Sequence, residues 1–288
     1  MDFQLSDDQR ALRRGLRDVL EGRFGRDALR AAVDAPRLDR ELWRTLGDAG
    51  FFALCLPEDA GGVGLGLPAA VLAFEEAGRV LLPGPAVATF LAAGAVEGAA
   101  GGTVVVTAVA GPFVPWLDEA DVVRGDAAGA VAVRSVDPLT PLHRVREGAP
   151  VPDEETPAVL LTAAEQLGSA ARTAELAVQH AREREQFGGP VGRFQAVQHL
   201  CADMLVRAEL ARVAVYAAAV TGDPLEASGA RLLADDAAVR NARDCLQVHG
   251  GMGFTWESDV HLHLKRAWVR AGLGGGAAGA EEALAAAL

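Results

Sequence analysis

The segment from Arg182 to Met204, REREQFGGPVGRFQAVQHLCADM, gathers Arg184, Gln186 and Gln195 around a break between two helical runs. A guanidinium and two amides at a helix–helix corner suit a pyrophosphate, because arginine meets phosphate oxygens with a planar fork. The same residues also have an architectural reading. Arg184 in a last turn complements the helix dipole, and Gly188, Gly189 and Pro190 stop the helix. A second segment, CLQVHGGMGFTWESD from Cys245 to Asp259, sets Gln247 and His249 beside the paired glycines Gly250 and Gly251. Paired glycines cap a helix; they also let a ligand approach the backbone, with amide N–H groups turned toward an anion. His249 is then either a solvated, capped histidine or a catalytic one.

The remaining candidates carry less. GGVGLG at Gly61 to Gly66 follows no strand and loses the dinucleotide spacing after Gly64. His261 and His263 lie two apart on an expected helix, hence on different faces, which argues against a metal site. Glu257, His261 and Lys265 follow i, i+4 spacing and read as a solvated helix stripe. Chain order supports no Ser-His-Asp arrangement, and no metal ligand set is assigned.

These segments need helices to hold them. Ser6 with Gln9 makes a capping box, and Leu12, Leu16, Leu20 and Phe24 recur at helical spacing. A second helix is expected from about Arg40 to Ala49 and a third from Pro68 to about Val80, joined by the glycine-rich loop Leu56 to Pro68. Short β-branched runs at Thr103 to Val109, Ala120 to Arg124, Ala128 to Arg134 and His143 to Arg146 read as small strands. After VPDEETP, with Thr156 as N-cap and Glu154 and Glu155 beside the positive end of the dipole, helices return. They run over Pro157 to about Gln186, Gln195 to Val220, Leu225 to Val248, and Glu257 to about Arg270. The tail GLGGGAAGAEEALAAAL reads as a weakly held end. The expected fold is mainly α. Its parts are an N-terminal helical domain (1–100), a reduced β middle domain (101–152) and a C-terminal antiparallel four-helix bundle (153–288).

Composition narrows the function classes. Half of the 288 residues are apolar, enough for a buried core. Lys+Arg 27 against Asp+Glu 39 gives a net charge of −12, and no segment offers the basic footprint a nucleic-acid binder needs. Cys55, Cys201 and Cys245 are widely separated, which fits a reducing cytoplasm better than a disulfide framework. No apolar run reaches membrane-spanning length; Leu81 to Ala100 comes closest and is interrupted by Pro83, Gly84, Pro85 and Glu97. A cytoplasmic protein is expected.

FGGPVGRFQAVQHLCADM and QVHGGMGFTWESD resemble the two signatures of the acyl-CoA dehydrogenase C-terminal bundle. LPEDAGGVGLG and LSDDQRALRRGLRDVL resemble the N-terminal helical domain of that family. The resemblance covers residues 1 to about 90 and 157 to 270. It implies an FAD flavoprotein that oxidises acyl-CoA thioesters to 2,3-enoyl-CoA. A glutamate removes the α-proton, the β-hydride passes to flavin N5, and electrons leave to an electron-transfer flavoprotein-type acceptor. Carried over by position, Arg184, Gln186 and Phe187 would touch the FAD diphosphate and adjoining groups across a subunit boundary. Gln195 would lie near the adenosine end, and Gln247, Gly250 and Gly251 would meet the ADP portion from a neighbouring chain. The family's dimers and tetramers imply a homo- or hetero-oligomer.

Two departures stand out. The family's usual base falls near Gly274, and the alternative position used by one branch falls near Ala158; neither is a carboxylate. Glu165, two turns into the same expected helix, is either buried beside a flavin or paired with Arg172 or another cation. The catalytic residue is therefore unassigned. The middle segment also lacks the family's Thr/Ser-bearing flavin contact, and Trp116 reads as core or interface ahead of a flavin platform. Three functions remain open. The chain is an active dehydrogenase, a non-catalytic subunit that completes a partner's FAD site, or a flavin oxidase or monooxygenase on the same scaffold.

Overall fold

The computed structural model describes residues 4–147 and 155–287. Helix α1, Asp7–Arg23, starts at the expected capping box: Ser6 accepts from the Gln9 amide, and the Gln9 side chain accepts from the Ser6 amide. Helix α2, Arg26–Asp34, was not anticipated, because its start has no side-chain cap and only Val33 is buried. Helix α3, Arg40–Asp48, is capped by the Asp39 carboxylate and buries Leu42, Trp43 and Leu46. The glycine-rich loop that follows contains a short 3-10 turn, Glu58–Ala60. Helix α4, Gly66–Arg79, begins two residues before Pro68, and α5, Ala86–Ala92, forms within the proline-interrupted apolar run.

The middle segment makes five strands: β1 Val106–Ala108, β2 Phe113–Pro115, β3 Val122–Arg124, β4 Val131–Val133 and β5 Leu142–Arg144. β1 pairs with β3 in parallel, and β5 lies between β2 and β4 in an antiparallel sheet. β2, with its two prolines nearby, carried no β-branched run long enough to be expected. The expected cap acids at Glu154 and before it lie outside the described residues. Helix α6, Thr156–Glu183, is preceded by Glu155 as N-cap, so Thr156 already belongs to the helix and the N-cap expectation is corrected by one residue.

A hairpin, β6 Glu185–Gln186 and β7 Gly189–Pro190, turns the chain into α7, Gln195–Thr221. Helix α8, Pro224–His249, is capped by Asp223 and followed by a 3-10 turn, Gly250–Phe254. Helix α9 runs over Val260–Ala271 and α10 over Gly276–Ala286. Two expectations change here. Glu257 precedes α9, so the Glu257–His261–Lys265 helix stripe does not exist; His261 and Lys265 instead share Trp256, whose ring stacks on the His261 ring at 5.0 Å and lies 4.6 Å from Lys265 Nζ. The alanine-rich tail is helical and packs on α8, burying Ala280, because alanine makes a good helix and permits close approach.

Helices α6 to α9 form the antiparallel bundle, and α4 lies across α6 at very short range. A Cβ on Gly168 of α6 would come 1.9 Å from the Glu75 carbonyl oxygen of α4. A Cβ on Gly78 of α4 would come 2.0 Å from the Glu165 carbonyl oxygen. Each helix thus presents a glycine where the other's backbone passes. An ion pair secures the same crossing, Arg79 meeting Glu175 through two hydrogen bonds of 2.8 and 2.7 Å, while Arg17 ties α1 to α4 by meeting the buried Glu76 in the same two-pronged way.

Helix α9 is joined to α6 by His263, which is buried and lies 2.8 Å from Ser169 Oγ through Nδ1. Burial, reinforced by Arg172, Arg266 and Arg270, holds His263 down to about 3. Folding therefore excludes a proton that the unfolded chain accepts below pH 6.5. The stability tied to His263 is complete above that pH. It falls by roughly 1.4 kcal/mol per pH unit below it and levels off near the folded value. Melting curves between about pH 7 and about pH 4 should fall more steeply for the native chain than for His263→Gln; parallel slopes would refute the assignment.

Among the described residues no helix is long and apolar enough to cross a membrane, and no group of His, Cys, Asp and Glu has the clustering of a metal site.

Candidate functional site

The positions singled out by sequence fall at two ends of the bundle. At one end, the first turns of α6, the start of α8, the end of α9, α10, α5 and the β1 edge enclose a cavity of about 840 Å³. Ala158, Thr162 and Glu165 face it from α6 at i, i+4 and i+7, while Arg266 and Arg270 face it from α9 at i and i+4. Gly274 lines it from the loop before α10. Both positions expected for a proton-abstracting carboxylate thus border the cavity, and both are occupied by residues without one.

Glu165 is the buried carboxylate that the cavity does contain. It pairs with Arg270, not with Arg172: Oε1 lies 2.8 Å from Arg270 Nη2, while Arg172 turns to Glu175. Burial pushes Glu165 above the ordinary carboxylate range, with Arg270, Arg266 and Arg231 pulling it back. The arginines are themselves tied. Arg231 holds Asp235 at 2.9 Å. Arg266 binds the fully buried Asp137 and donates to the Leu82 and Leu139 carbonyls at 3.0 and 3.1 Å. Asp137 also accepts from the Thr140 hydroxyl at 2.6 Å. Trp116 is buried core at the cavity edge, with a left-handed backbone of φ 59°. Of this network only Glu165 was singled out in the sequence, with a cation as one of its two readings; the rest was not legible, because its members are spread from Leu82 to Arg270 without a motif.

At the other end, the last turn of α6 meets the end of α8. His180 and His249 stack with ring centroids 4.1 Å apart, which brings the two sequence segments together. Burial, His249 and Arg184 hold His180 below the ordinary histidine range. His249 is capped: Nδ1 lies 2.8 Å from the Cys245 carbonyl oxygen. Arg184 is not in the last helical turn; its backbone is extended (φ −75°, ψ 117°) and it leads into the hairpin. Gln186 pairs with Gly189 across a two-residue turn in which Phe187 (φ 53°) and Gly188 (φ 86°) are both left-handed, the geometry a tight hairpin demands. That turn leaves Phe187 80% exposed.

Gln195 opens α7, and Gln247 sits in the last turn of α8, both exposed. The side chains of Arg184, Gln186, Gln195 and Gln247 have no hydrogen-bond or ion-pair partner among the described residues. Gly250 (φ 61°) and Gly251 border open space, since a Cβ on either would meet nothing. Sequence reasoning missed the exposed Met252, Phe254 and Trp256 beside them, although their position after the paired glycines was a usable signal. Glu165 at the cavity and Glu183 at this end are separated on one helix by a rise of about 27 Å. The cavity and the cluster of free donors are distinct regions of the chain.

The residues present fit a dinucleotide's phosphates and adenosine at the second end. A free guanidinium, free amides and uncovered glycine backbone are the donor set such a group requires.

Comparison with known proteins agrees with this architecture. Residues 6–101 match the acyl-CoA dehydrogenase N-terminal domain, and residues 159–288 match the acyl-CoA dehydrogenase C-terminal domain. The acyl-CoA dehydrogenase IpdE2 of Mycobacterium tuberculosis is 35% identical over 91% of this chain and 91% of its own length. The acyl-CoA dehydrogenase FadE34 of the same organism is 38% identical over 82% of this chain but only 40% of its own length. The ChsE4-ChsE5 complex from Mycobacterium tuberculosis contains a chain of the same fold, with a TM-score of 0.82 at 22% identity, covering 99% of this chain and 98% of that one. From its two flanking helical segments to its similarity with IpdE2 over most of its length, this chain belongs to the acyl-CoA dehydrogenase family.

Proposed function

We propose that this chain works in FAD-dependent α,β-dehydrogenation of an acyl-CoA thioester as a subunit that completes the flavin site of another chain and does not itself supply the base. The carrying observation is the cluster of partnerless donors at the hairpin end of the bundle, about 27 Å from a cavity whose two base positions hold Ala158 and Gly274. Bound FAD would accept the hydride that leaves the acyl β-carbon. Arg184 would grip the diphosphate with its fork, with Gln186 and Phe187 beside it. Gln195 would bind toward the adenosine, and Gln247 with the Gly250–Gly251 backbone would meet the ADP portion. The exposed Phe187 and Phe254 would be covered by the neighbouring chain, since exposed apolar side chains grouped at one end mark contact surfaces.

Two relatives support a multi-part assembly. ChsE4-ChsE5 is a complex of two differently named chains, and FadE34 carries the matching segment within a much longer protein. The electron acceptor in this reading is an electron-transfer flavoprotein, and the three-domain division at 100/101 and 152/153 belongs to the same proposal. The chain being catalytic on its own would rest on Glu165, whose pairing with Arg270 opposes its use as a free base.

The test is purification alone and co-expressed with the product of the neighbouring gene, recording flavin absorbance and bleaching by acyl-CoA. Flavin held and bleached only by the co-expressed complex supports the proposal. Bleaching by the chain alone overturns the subunit reading, and absence of flavin under both conditions overturns the flavin site. In the complex, Arg184→Ala should weaken FAD binding about tenfold or more, the loss expected for a hydrogen-bonded charge; unchanged flavin occupancy on dilution would show that Arg184 is not a ligand.

A further inference from the structure

Two histidines join the halves of the donor cluster. His180 stands one helical turn before Arg184, whose amide donates to the His180 carbonyl at 2.8 Å. His249 directly precedes Gly250 and Gly251. Their rings stack at 4.1 Å with 26° between the planes, so the arginine segment and the glycine turn meet through two imidazoles. Both rings hold hydrogen-bonding capacity in reserve. His249 Nδ1 donates to the Cys245 carbonyl, which leaves Nε2 without a partner, and neither nitrogen of His180 has one among the described residues. Both side chains are partly exposed.

The groups around the pair decide its charge. On α6, Arg184 opposes a proton on His180, and Glu183, which accepts from Gln179 at 3.1 Å, favours one. On α8, Asp244 is committed to Arg207 of α7, and burial pushes the Cys245 thiol up to about 12. From α7 come the apolar Val197, Leu200 and Met204, with Cys201, whose thiol burial also raises. The turn Gly250–Phe254 carries no titratable side chain, and a Cβ on its Gly253 would lie 3.0 Å from His249 Cβ. In the turn Val191–Arg193, Arg193 donates to the Phe187 and Gly188 carbonyls. Glu185 of the hairpin is exposed. Within this surround His180 is neutral at neutral pH.

We propose, on the reading of the donor cluster given above, that the His180–His249 pair is a proton-coupled part of the diphosphate clamp: it takes up one proton when the diphosphate binds and donates it toward a phosphate oxygen. An anion on Arg184 cancels the positive charge that keeps His180 neutral. The imidazolium so formed adds a charge-assisted hydrogen bond to those of the guanidinium and the glycine backbone. A second proton is excluded, since two cations 4.1 Å apart repel. The diphosphate of FAD is a diester and keeps its charge through the range in which histidine titrates, so the proton gained belongs to the protein. Because binding raises the affinity of the pair for a proton, affinity for FAD must rise as pH falls through that range.

The test is calorimetric titration of the co-expressed complex, stripped of flavin, with FAD. Runs at about pH 6.5 in two buffers of different ionisation enthalpy should show uptake approaching one proton per FAD. Binding should be about tenfold tighter at about pH 6 than at about pH 8. The paired substitution His180→Phe with His249→Phe keeps stacked rings without a titratable nitrogen; it should abolish the uptake and flatten the pH dependence. Equal affinity at the two pH values, no proton uptake, or persistence of both effects in the folded paired variant would overturn this inference and leave the flavin site standing. FAD bound at neither pH overturns the flavin site and this inference with it. Should the paired variant fail to fold, the proton count on the native complex decides alone.

Discussion

Gly168→Ala will lower the melting temperature by about 5–10 °C, corresponding to about 3 kcal/mol in a chain of this size. The added Cβ would lie 1.9 Å from the Glu75 carbonyl oxygen and 3.0 Å from the Arg79 amide nitrogen, both backbone atoms of α4 that no rotamer change can move. The helices must separate, and with them the fully buried Ala70, Ala73, Phe74, Leu161 and Ala164 lose contact. Alanine ordinarily improves a helix interior relative to glycine, so the sign of the effect isolates the crossing. The partner position predicts the same: Gly78→Ala is blocked at 2.0 Å by the Glu165 backbone, whereas Gly229→Ala on α8 meets nothing and should be neutral or stabilising. Thermal circular dichroism of the three variants checks this, and a Gly168→Ala melt within a degree or so of the native chain would contradict it.

Arg266→Met should destabilise the fold by about 3–5 kcal/mol. It removes the cation from the fully buried Asp137 and takes a donor from the Leu82 and Leu139 carbonyls. Asp137 would keep only the Thr140 hydroxyl and the Leu139 amide. The combined change Arg266→Met with Asp137→Asn leaves no unpaired charge and should recover a large part of the loss. Urea unfolding of the single and paired variants measures both steps. A single variant within about 1 kcal/mol of native would mean that the pair behaves like an exposed one.

Residues of this network join α9 to the chain near α5 and to the end of the β segment, and they show why the sequence was only partly readable. Local signals worked where the physics is local. The Ser6–Gln9 cap, the apolar spacing of α1 and α3, and the break at Gly250 appear where expected, whereas α6 ends at Glu183 and Gly188 turns the hairpin beyond it. Helix α2 failed because its stabilisation is not local: Arg26 and Arg30 reach Asp259 at 2.7 Å from the far end of the chain. The helicity of the tail was missed because low complexity masks alanine's helix preference, which forms α10 and lets Ala280 be buried. The flavin-site candidates were legible as contiguous motifs, and the structure gathers them at one end through the His180–His249 stack. The cavity was not. Its arginines carry no local pattern and meet only where α8 and α9 lie beside α6.

The cation resting beside Trp256 has a chemical consequence of its own. Lys265 is the one lysine in the sequence; the other side-chain cations are arginines. Thioesters acylate amines and leave guanidinium groups alone, so among its lysine and arginine side chains this protein offers such a reagent a single amine. Burial lowers the pKa of that amine, while its ammonium lies 4.6 Å from the Trp256 ring in a cation–π contact. Acylation there would convert the cation to an amide, whereas the arginines would keep their charge toward the same reagent.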